Sequence, residues 1–205
     1  MKKISVKEER IPKPLKKVNL SVDRGIMKRI ITTDRLVIRP VEEGDCEAVH
    51  EYAGDPSIDM MIYLPNDTFE ETKEFVKFAV SEWEKEDPED MEYVVLLGGE
   101  IIGGVNLERI GDARVYEIGW TLRKDKRGYG YATEAAKALM DHAFKVLDAK
   151  QVQAHCDSRN QASEKVMKKL GMVLADDTGT RTYPKTGIVS GEYFYTLTSD
   201  AYFAG

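Results

Sequence analysis

The glycine-rich turn Arg127-Gly128-Tyr129-Gly130-Tyr131-Ala132-Thr133-Glu134-Ala135 stands between an apolar strand pattern and an amphipathic helix pattern, and no other stretch constrains the fold as much. Ahead of it, Val115 to Leu122 have the aromatic and β-branched content of a strand. Behind it Ala132, Ala135, Ala136, Leu139, Met140, Ala143, Phe144 and Leu147 recur at i, i+3, i+4 and i+7, a stripe that faces a core. A helix start presents unpaired N–H groups and the positive end of the helix dipole, so a phosphate placed there gains several directed hydrogen bonds. Gly128 and Gly130 have no Cβ to block that approach and tolerate the angles of a tight loop, and Arg127 adds a cation. An ordinary strand-to-helix turn has the same outline, so the glycine pair alone is weak evidence. Two other phosphate fingerprints are missing. No G-x-x-x-x-G-K-[ST] occurs, and no G-x-G-x-x-G follows a strand with an acidic residue about 20 positions on.

Arg127, Gly130 and Ala132 fit the R/Q-x-x-G-x-G/A signature, and on it the chain resembles the GNAT superfamily of N-acetyltransferases, whose turn cradles the pyrophosphate of acetyl-CoA. Thr33-Asp34-Arg35-Leu36-Val37-Ile38-Arg39-Pro40 looks like the first strand of the branch that acetylates protein N-termini, the ribosomal-protein-alanine acetyltransferase-like enzymes. Glu117-Ile118-Gly119-Trp120 resembles the fourth strand of that branch. Asn160-Gln161-Ala162-Ser163-Glu164-Lys165-Val166-Met167-Lys168-Lys169-Leu170-Gly171-Met172 is similar to its N-x-x-S-x-x-V-x-x-K-x-G-Φ segment, where Φ is usually aromatic. These matches fall in the family's order over roughly residues 31 to 199, a more specific signal than any one motif.

Composition agrees with this reading without suggesting it. A chain of 205 residues, 42% apolar, can bury one sizeable core. The simplest division is a basic N-terminal extension, 1–26, followed by a single domain, 27–205. The extension sets Lys2, Lys3, Lys7, Arg10, Lys13, Lys16, Lys17 and Arg24 against Glu8, Glu9 and Asp23 and is broken by Pro12 and Pro14, the pattern of a flexible solvated tail. Met27 stands just before the domain and is a candidate translation start. A net charge of −6 argues against a nucleic-acid partner over the whole surface. No apolar run approaches the roughly 18 residues of a membrane span, and the N-terminus lacks a signal peptide's apolar region, so we expect no membrane partner and a cytoplasmic location. Cys46 and Cys156 lack ligand spacing and read as reduced thiols; with His50, His142 and His155 scattered, no metal is implied.

The chain reads as an α/β (α+β) fold. A strand at 34–39 leads to a short helix with Val49, Tyr52 and Ala53, which Asp55-Pro56 ends. A helix over 69–85 puts Phe75, Ala79 and Trp83 on one face. Tyr93 to Leu97 and Ile101 to Leu107 form a hairpin at Gly98-Gly99. After the turn and its helix come a buried strand, Lys150 to Cys156, and a helix capped by Asn160 and stopped by Gly171. Strands at 172–183 and 191–199 complete a mixed, twisted, mostly antiparallel sheet of about seven strands with helices on both faces.

The resemblance implies acetyl-CoA as co-substrate and direct attack of a primary amine on its thioester. Pantetheine would enter where the fourth and fifth strands part, against Trp120, Thr121 and Leu122, with the phosphates over Arg127, Gly128, Tyr129, Gly130, Tyr131, Ala132 and Thr133. Asn160 and Ser163 would complete the coenzyme site, Ser163 as acid or hydrogen-bond donor to the leaving sulfur; a serine that merely opens a helix is the competing reading. For the base, Glu117 lies on the fourth strand, where burial would raise its pKa; a carboxylate ion-paired within the sheet is the equal alternative. Thr180-Arg181-Thr182-Tyr183 stands where the ribosomal-protein enzymes use a carboxylate, which counts against their substrates; Asp176, Asp177 and Glu192 are nearby candidates. The acceptor is a protein N-terminus or a small-molecule amine, met by loops at 63–67 and 182–188, and a homodimer is compatible with the resemblance. The alternative class is a non-catalytic acyl-CoA-binding sensor, which would retain the same turn.

Overall fold

The computed structural model describes residues 29–111 and 114–205; the basic stretch 1–26 lies outside them. Eight strands form one sheet: β1 (Ile31–Thr32), β2 (Leu36–Pro40), β3 (Asp90–Leu97), β4 (Glu100–Ile110), β5 (Val115–Leu122), β6 (Gln151–Asp157), β7 (Val173–Thr182) and β8 (Val189–Thr198). Their spatial order is β1-β2-β3-β4-β5-β6-β8-β7, and every neighbouring pair is antiparallel except β5 with β6. The helices are α1 (Cys46–Ala53), α2 (Phe69–Trp83), α3 (Tyr131–Lys145), α4 (Gln161–Lys169) and α5 (Ser199–Ala204). None among the described residues is long and apolar enough to cross a membrane.

Against the expectation of about seven strands, the additional one is the two-residue β1, too short to carry a periodicity. The last strand ends at Thr198, where the Thr198 hydroxyl accepts from Ala201 N and starts α5. The β3–β4 hairpin turns at Gly98 and Gly99, whose φ values of +60° and +91° are the left-handed conformations that a two-residue turn requires.

Cross-strand partners share a face, so the register divides the sheet into two surfaces. One carries Leu36, Ile38, Tyr93, Val95, Val105, Leu107, Ile118 and Val152, all essentially buried. Tyr195 shares this side through Ala154, and its hydroxyl donates to Glu164 of α4. Gly104 opens the opposite surface to Tyr52 of α1: a Cβ there would come within 2.7 Å of the Tyr52 hydroxyl. Helices therefore flank both faces. The stripe read from the sequence of α3 buries Ala135, Ala136, Leu139, Met140 and Ala143 completely. Truncating a residue such as Leu139 to Ala costs about 2–5 kcal/mol.

The same opposite surface carries a rank of carboxylates. Asp90, Glu108 and Glu117 are consecutive partners across β3, β4 and β5, and Glu92 lies one pair along. Burial, then the neighbouring charges of Glu108 and Glu82, pushes Asp90 up to about 6. Burial followed by Asp90 and Glu108 holds Glu92 well above the carboxylate range, and Glu108 is raised by burial and Glu117.

Candidate functional site

The strand pairing opens the site. β5 pairs with β6 only through Val115 to Glu117, whereas its other edge stays paired to β4 as far as Leu122. Arg123 N donates to Ile102 O on β4, so by strand alternation the backbone groups of Trp120 and Leu122 point into the gap between β5 and β6. An unpaired strand edge inside a fold is a surface for an extended ligand.

The turn Gly128–Gly130 closes the end of this gap. Gly130 caps α3 in the left-handed conformation, φ +84°, and Gly128 has φ +87°. A Cβ on Gly128 would meet nothing within 4 Å, so its outer side is open. The first helical bond is Glu134 N to Gly130 O at 3.0 Å. The N–H groups of Tyr131, Ala132 and Thr133 lie before it and have no intrahelical acceptor.

A cavity of about 420 Å³ occupies the gap, lined by Trp120, Thr121 and Leu122, by Arg127, Gly128 and Gly130 to Thr133, by Asn160 and Ser163 with neighbours on α4, and by the loop 57–61. Eleven of the twelve residues expected at the coenzyme thus meet around one space. The twelfth, Tyr129, is 64% exposed and turns away to stack on Tyr131, with ring centroids 5.9 Å apart. The loop 57–61 carried no sequence signal; Arg181, buried beside Glu192, reaches its Met60 carbonyl at 3.4 Å.

Several expected roles are redistributed by local chemistry. The guanidinium of Arg127 does not stand free for a phosphate: its Nε donates to Leu122 O at 2.9 Å and its Nη2 lies 3.2 Å from Asp55. Asn160 uses its side-chain carbonyl to cap α4, accepting from Ser163 N at 3.0 Å, which leaves its amide N–H groups available. The Ser163 hydroxyl has no partner among the described residues and borders the cavity.

Glu117 requires a correction. It does not line the cavity; it sits where β5 and β6 separate, bonded to His155 Nδ1 at 3.1 Å and to Gln153 Nε2 at 3.2 Å. Burial alone would raise its pKa as expected, but the His155 contact and the Gln153 amide outweigh it and hold the carboxylate below its ordinary range. His155, stacked on Phe194 at 4.4 Å, is raised above 6.5, chiefly by its bond to Glu117. Sequence spacing gave no hint of this pair, because β6 joins β5 only after α3.

A second group anchors the turn from behind. The Thr33 hydroxyl donates to Glu134 Oε1 at 2.6 Å, and Arg35 N donates to the same oxygen at 3.1 Å. Arg35 Nε reaches Glu134 Oε2 at 2.6 Å, Nη1 donates to Tyr129 O at 3.1 Å, and the guanidinium lies 4.5 Å from the Tyr131 ring centroid.

A strand splayed from its neighbour beside a helix N-terminus, with Ser163 bordering the cavity between them, matches the acyl-coenzyme transferase architecture that the sequence resemblance implies. The chain belongs to the GNAT acetyltransferases: the family model described as acetyltransferase (GNAT) domain matches residues 35–173. The uncharacterized N-acetyltransferase YnaD of Bacillus subtilis (strain 168) is 34% identical over 82% of this chain and 95% of its own. Spermidine N(1)-acetyltransferase of Escherichia coli (strain K12) is 31% identical over 65% of this chain and 70% of its own. Among solved structures, a GNAT acetyltransferase from Bacillus anthracis superposes with a TM-score of 0.72 at 29% identity, covering 83% of this chain and 99% of that one. RimL, a ribosomal L7/L12 alpha-N-protein acetyltransferase in complex with coenzyme A, shares the fold with a TM-score of 0.74 at 21% identity, covering 84% and 99%. The protein is accordingly an acetyl-CoA-dependent acyltransferase.

Proposed function

We propose that this chain transfers the acetyl group of acetyl-CoA to a primary amine, on a protein N-terminus or a small molecule, by direct attack within a ternary complex. The cavity itself carries the reading: in a chain of net charge −6 it is lined by Lys165, Lys169 and an Arg127 already paired with Asp55, against the single lining carboxylate Asp59, so its balance favours an anion. Relatives named for acetylating spermidine and a ribosomal protein's α-amine support an amine as acceptor.

Acetyl-CoA supplies the activated acyl carbon. The amine nitrogen bonds to that carbon, the carbon–sulfur bond breaks, and the sulfur leaves as a thiolate that takes up a proton from water. The N–H groups of Tyr131, Ala132 and Thr133 hold the pyrophosphate, and the strand edge at Trp120 with the Leu122 N–H pairs with the pantetheine amides, the Leu122 carbonyl being taken by Arg127. Ser163 donates a hydrogen bond to the departing sulfur. The proton lost by the amine passes through water to the Glu117–His155 pair. A histidine raised above 6.5 and held by a carboxylate suits an α-amine, whose own pKa is about 8.

Calorimetry with acetyl-CoA on wild type and Gly130→Trp, followed by thiol release with peptides, polyamines and aminoglycosides, tests the reading. Wild type should bind, the indole should abolish binding, and one acceptor class should release thiol. Ser163→Ala should then slow kcat by roughly 10²-fold with little change in acetyl-CoA affinity. Folded wild type that fails to bind acetyl-CoA overturns the proposal; binding without release under every acceptor makes the chain a sensor.

A further inference from the structure

The sheet surface that carries the carboxylates also carries an amide, Asn106, outside both the cavity lining and the Glu117–His155 pair. On β4 it stands between Gly104 and Glu108, with Glu92 and Gly119 as its cross-strand partners. Gly119 has no side chain, and Asn106 takes the space: a Cβ there would collide with Asn106 Oδ1, while Nδ2 would lie 3.8 Å off. The carboxamide oxygen therefore rests over the backbone of β5. Asn106 is half-buried, and its side chain makes no hydrogen bond among the described residues.

Gly119 marks the inner end of the gap. From the glycine turn inward the lining residues of β5 run Leu122, Thr121, Trp120, and the next residue is Gly119, two beyond the last pairing of β5 with β6 at Glu117 and Gln153. With the phosphates at the turn and the pantetheine along Trp120, the acyl carbon comes to lie beside Gly119. One side of the sheet is shut here by the buried Leu107, Ile118 and Val152. The other is open, with Glu108 exposed and Glu117 and Gly119 half-buried, so an acceptor arrives over Asn106. Glu117 lies two residues along β5 on the same surface, about 7 Å away at Cα, which leaves room for a water between an amine over Gly119 and the Glu117–His155 pair.

Resting on the acetyl-CoA reading, we propose that Asn106 binds the acceptor, its Oδ1 accepting one N–H of the incoming amine and thereby selecting primary amines. A neutral primary amine has two hydrogens and a lone pair. The hydrogen held by Asn106 stays on nitrogen in the product amide, the other leaves through water to the Glu117–His155 pair, and the lone pair faces the acyl carbon. A secondary amine has only the hydrogen that must leave, so it would strand the Asn106 oxygen without a partner.

The test is steady-state kinetics at saturating acetyl-CoA with each acceptor of the panel beside its N-methylated form: an alanyl and an N-methylalanyl peptide, spermidine and spermidine methylated at both ends, an aminoglycoside and its N-methylated counterpart. Wild type should prefer the primary form roughly hundredfold in kcat/KM. Asn106→Ala should cut kcat/KM for the primary amine by about ten- to hundredfold and leave the methylated form nearly unchanged, erasing most of the preference. Asn106→Asp, which keeps an acceptor oxygen in place, should retain it. Acetyl-CoA affinity by calorimetry should match wild type in both variants, which also shows that they fold. Equal loss on both amines would overturn the role, as would a wild type without the preference or an alanine variant that keeps it. Wild type that binds acetyl-CoA but turns over no acceptor would instead overturn the transferase reading on which the role rests.

Discussion

At Gly130 one backbone angle sets the aim of three N–H groups. Its φ of +84° lies where a residue with a Cβ is strained by about 1–2 kcal/mol, and a Cβ there would also stand 3.6 Å from Arg35 Nη2. Gly128 has nearly the same angle, φ +87°, but faces open space and lies outside the helix cap. Alanine at either position should lower Tm by about 2–8 °C, from strain alone. Only Gly130→Ala should also weaken acetyl-CoA severalfold more than its stability loss accounts for, because the cap residue orients Tyr131, Ala132 and Thr133. Gly130→Asn, a residue that tolerates the left-handed region, should recover most of the stability. Thermal melts and calorimetry on the three variants decide this, and equal affinities for Gly128→Ala and Gly130→Ala would refute the cap's role.

The helix α3 is held at the scale of elements by a carboxylate within its own first turn. Glu134 collects Thr33, the Arg35 backbone and the Arg35 guanidinium, so the β1–β2 turn is tied to the coenzyme-facing end of the helix. The guanidinium is 43% exposed while Glu134 is 19% exposed, which makes the Thr33 and backbone bonds the stronger part of the tie. Glu134→Gln should therefore lower stability by about 1 kcal/mol and raise the acetyl-CoA Kd severalfold, with kcat at saturating coenzyme nearly unchanged. A loss confined to kcat would place Glu134 in the chemistry instead. The elements themselves were legible in the sequence, since the glycine pair, the α3 stripe and the Asn160 cap are local signals within a few residues. What joins them was not. Arg35 and Glu134 are 99 positions apart, Arg127 and Asp55 are 72 apart, and the Glu117–His155 contact depends on how β6 comes to lie beside β5. Local pattern offered Arg127 as the cation of the turn, but the distant Asp55 engages it, and the cavity-lining cations without a carboxylate partner among the described residues are Lys165 and Lys169 on α4.

Over the whole molecule, the acidic surface of the sheet and the paired carboxylates elsewhere pull stability in opposite directions as pH changes. Asp90 is raised from 3.8 to about 6, so the folded state binds its proton more tightly than the unfolded chain does. That advantage is complete below 3.8 and lost as pH rises through about 6; Glu108, raised from 4.5 by burial and Glu117, adds to the same loss. Asp157 has the opposite sign. Burial alone would raise it, but Arg159, Tyr183 and Ser190 hold it far below 3.8, so its contribution is present above that value and disappears only in strong acid. The Glu117–His155 pair contributes most between the ordinary values of its members, 4.5 and 6.5, and fades as pH rises through the elevated value of His155. The three effects overlap at roughly pH 4–5, after the Asp157 contribution is established and before most of the Asp90 advantage is lost, so Tm should peak there and fall by pH 8. Glu108 is the place to probe this, because its carboxylate has like charges from Asp90 and Glu117 as direct cross-strand partners and no hydrogen-bond partner to lose among the described residues. Glu108→Gln should raise Tm at pH 8 by a few degrees, on the order of 1 kcal/mol, and leave it nearly unchanged below the ordinary carboxylate value of 4.5, where Glu108 is protonated in both states. Added salt should narrow the gap between variant and wild type at pH 8, since it screens the repulsion that the substitution removes. A variant no more stable than wild type at pH 8 would mean that the carboxylate rank is relaxed by water and carries no net repulsion, and the loss of stability toward high pH would then belong to the Glu117–His155 pair.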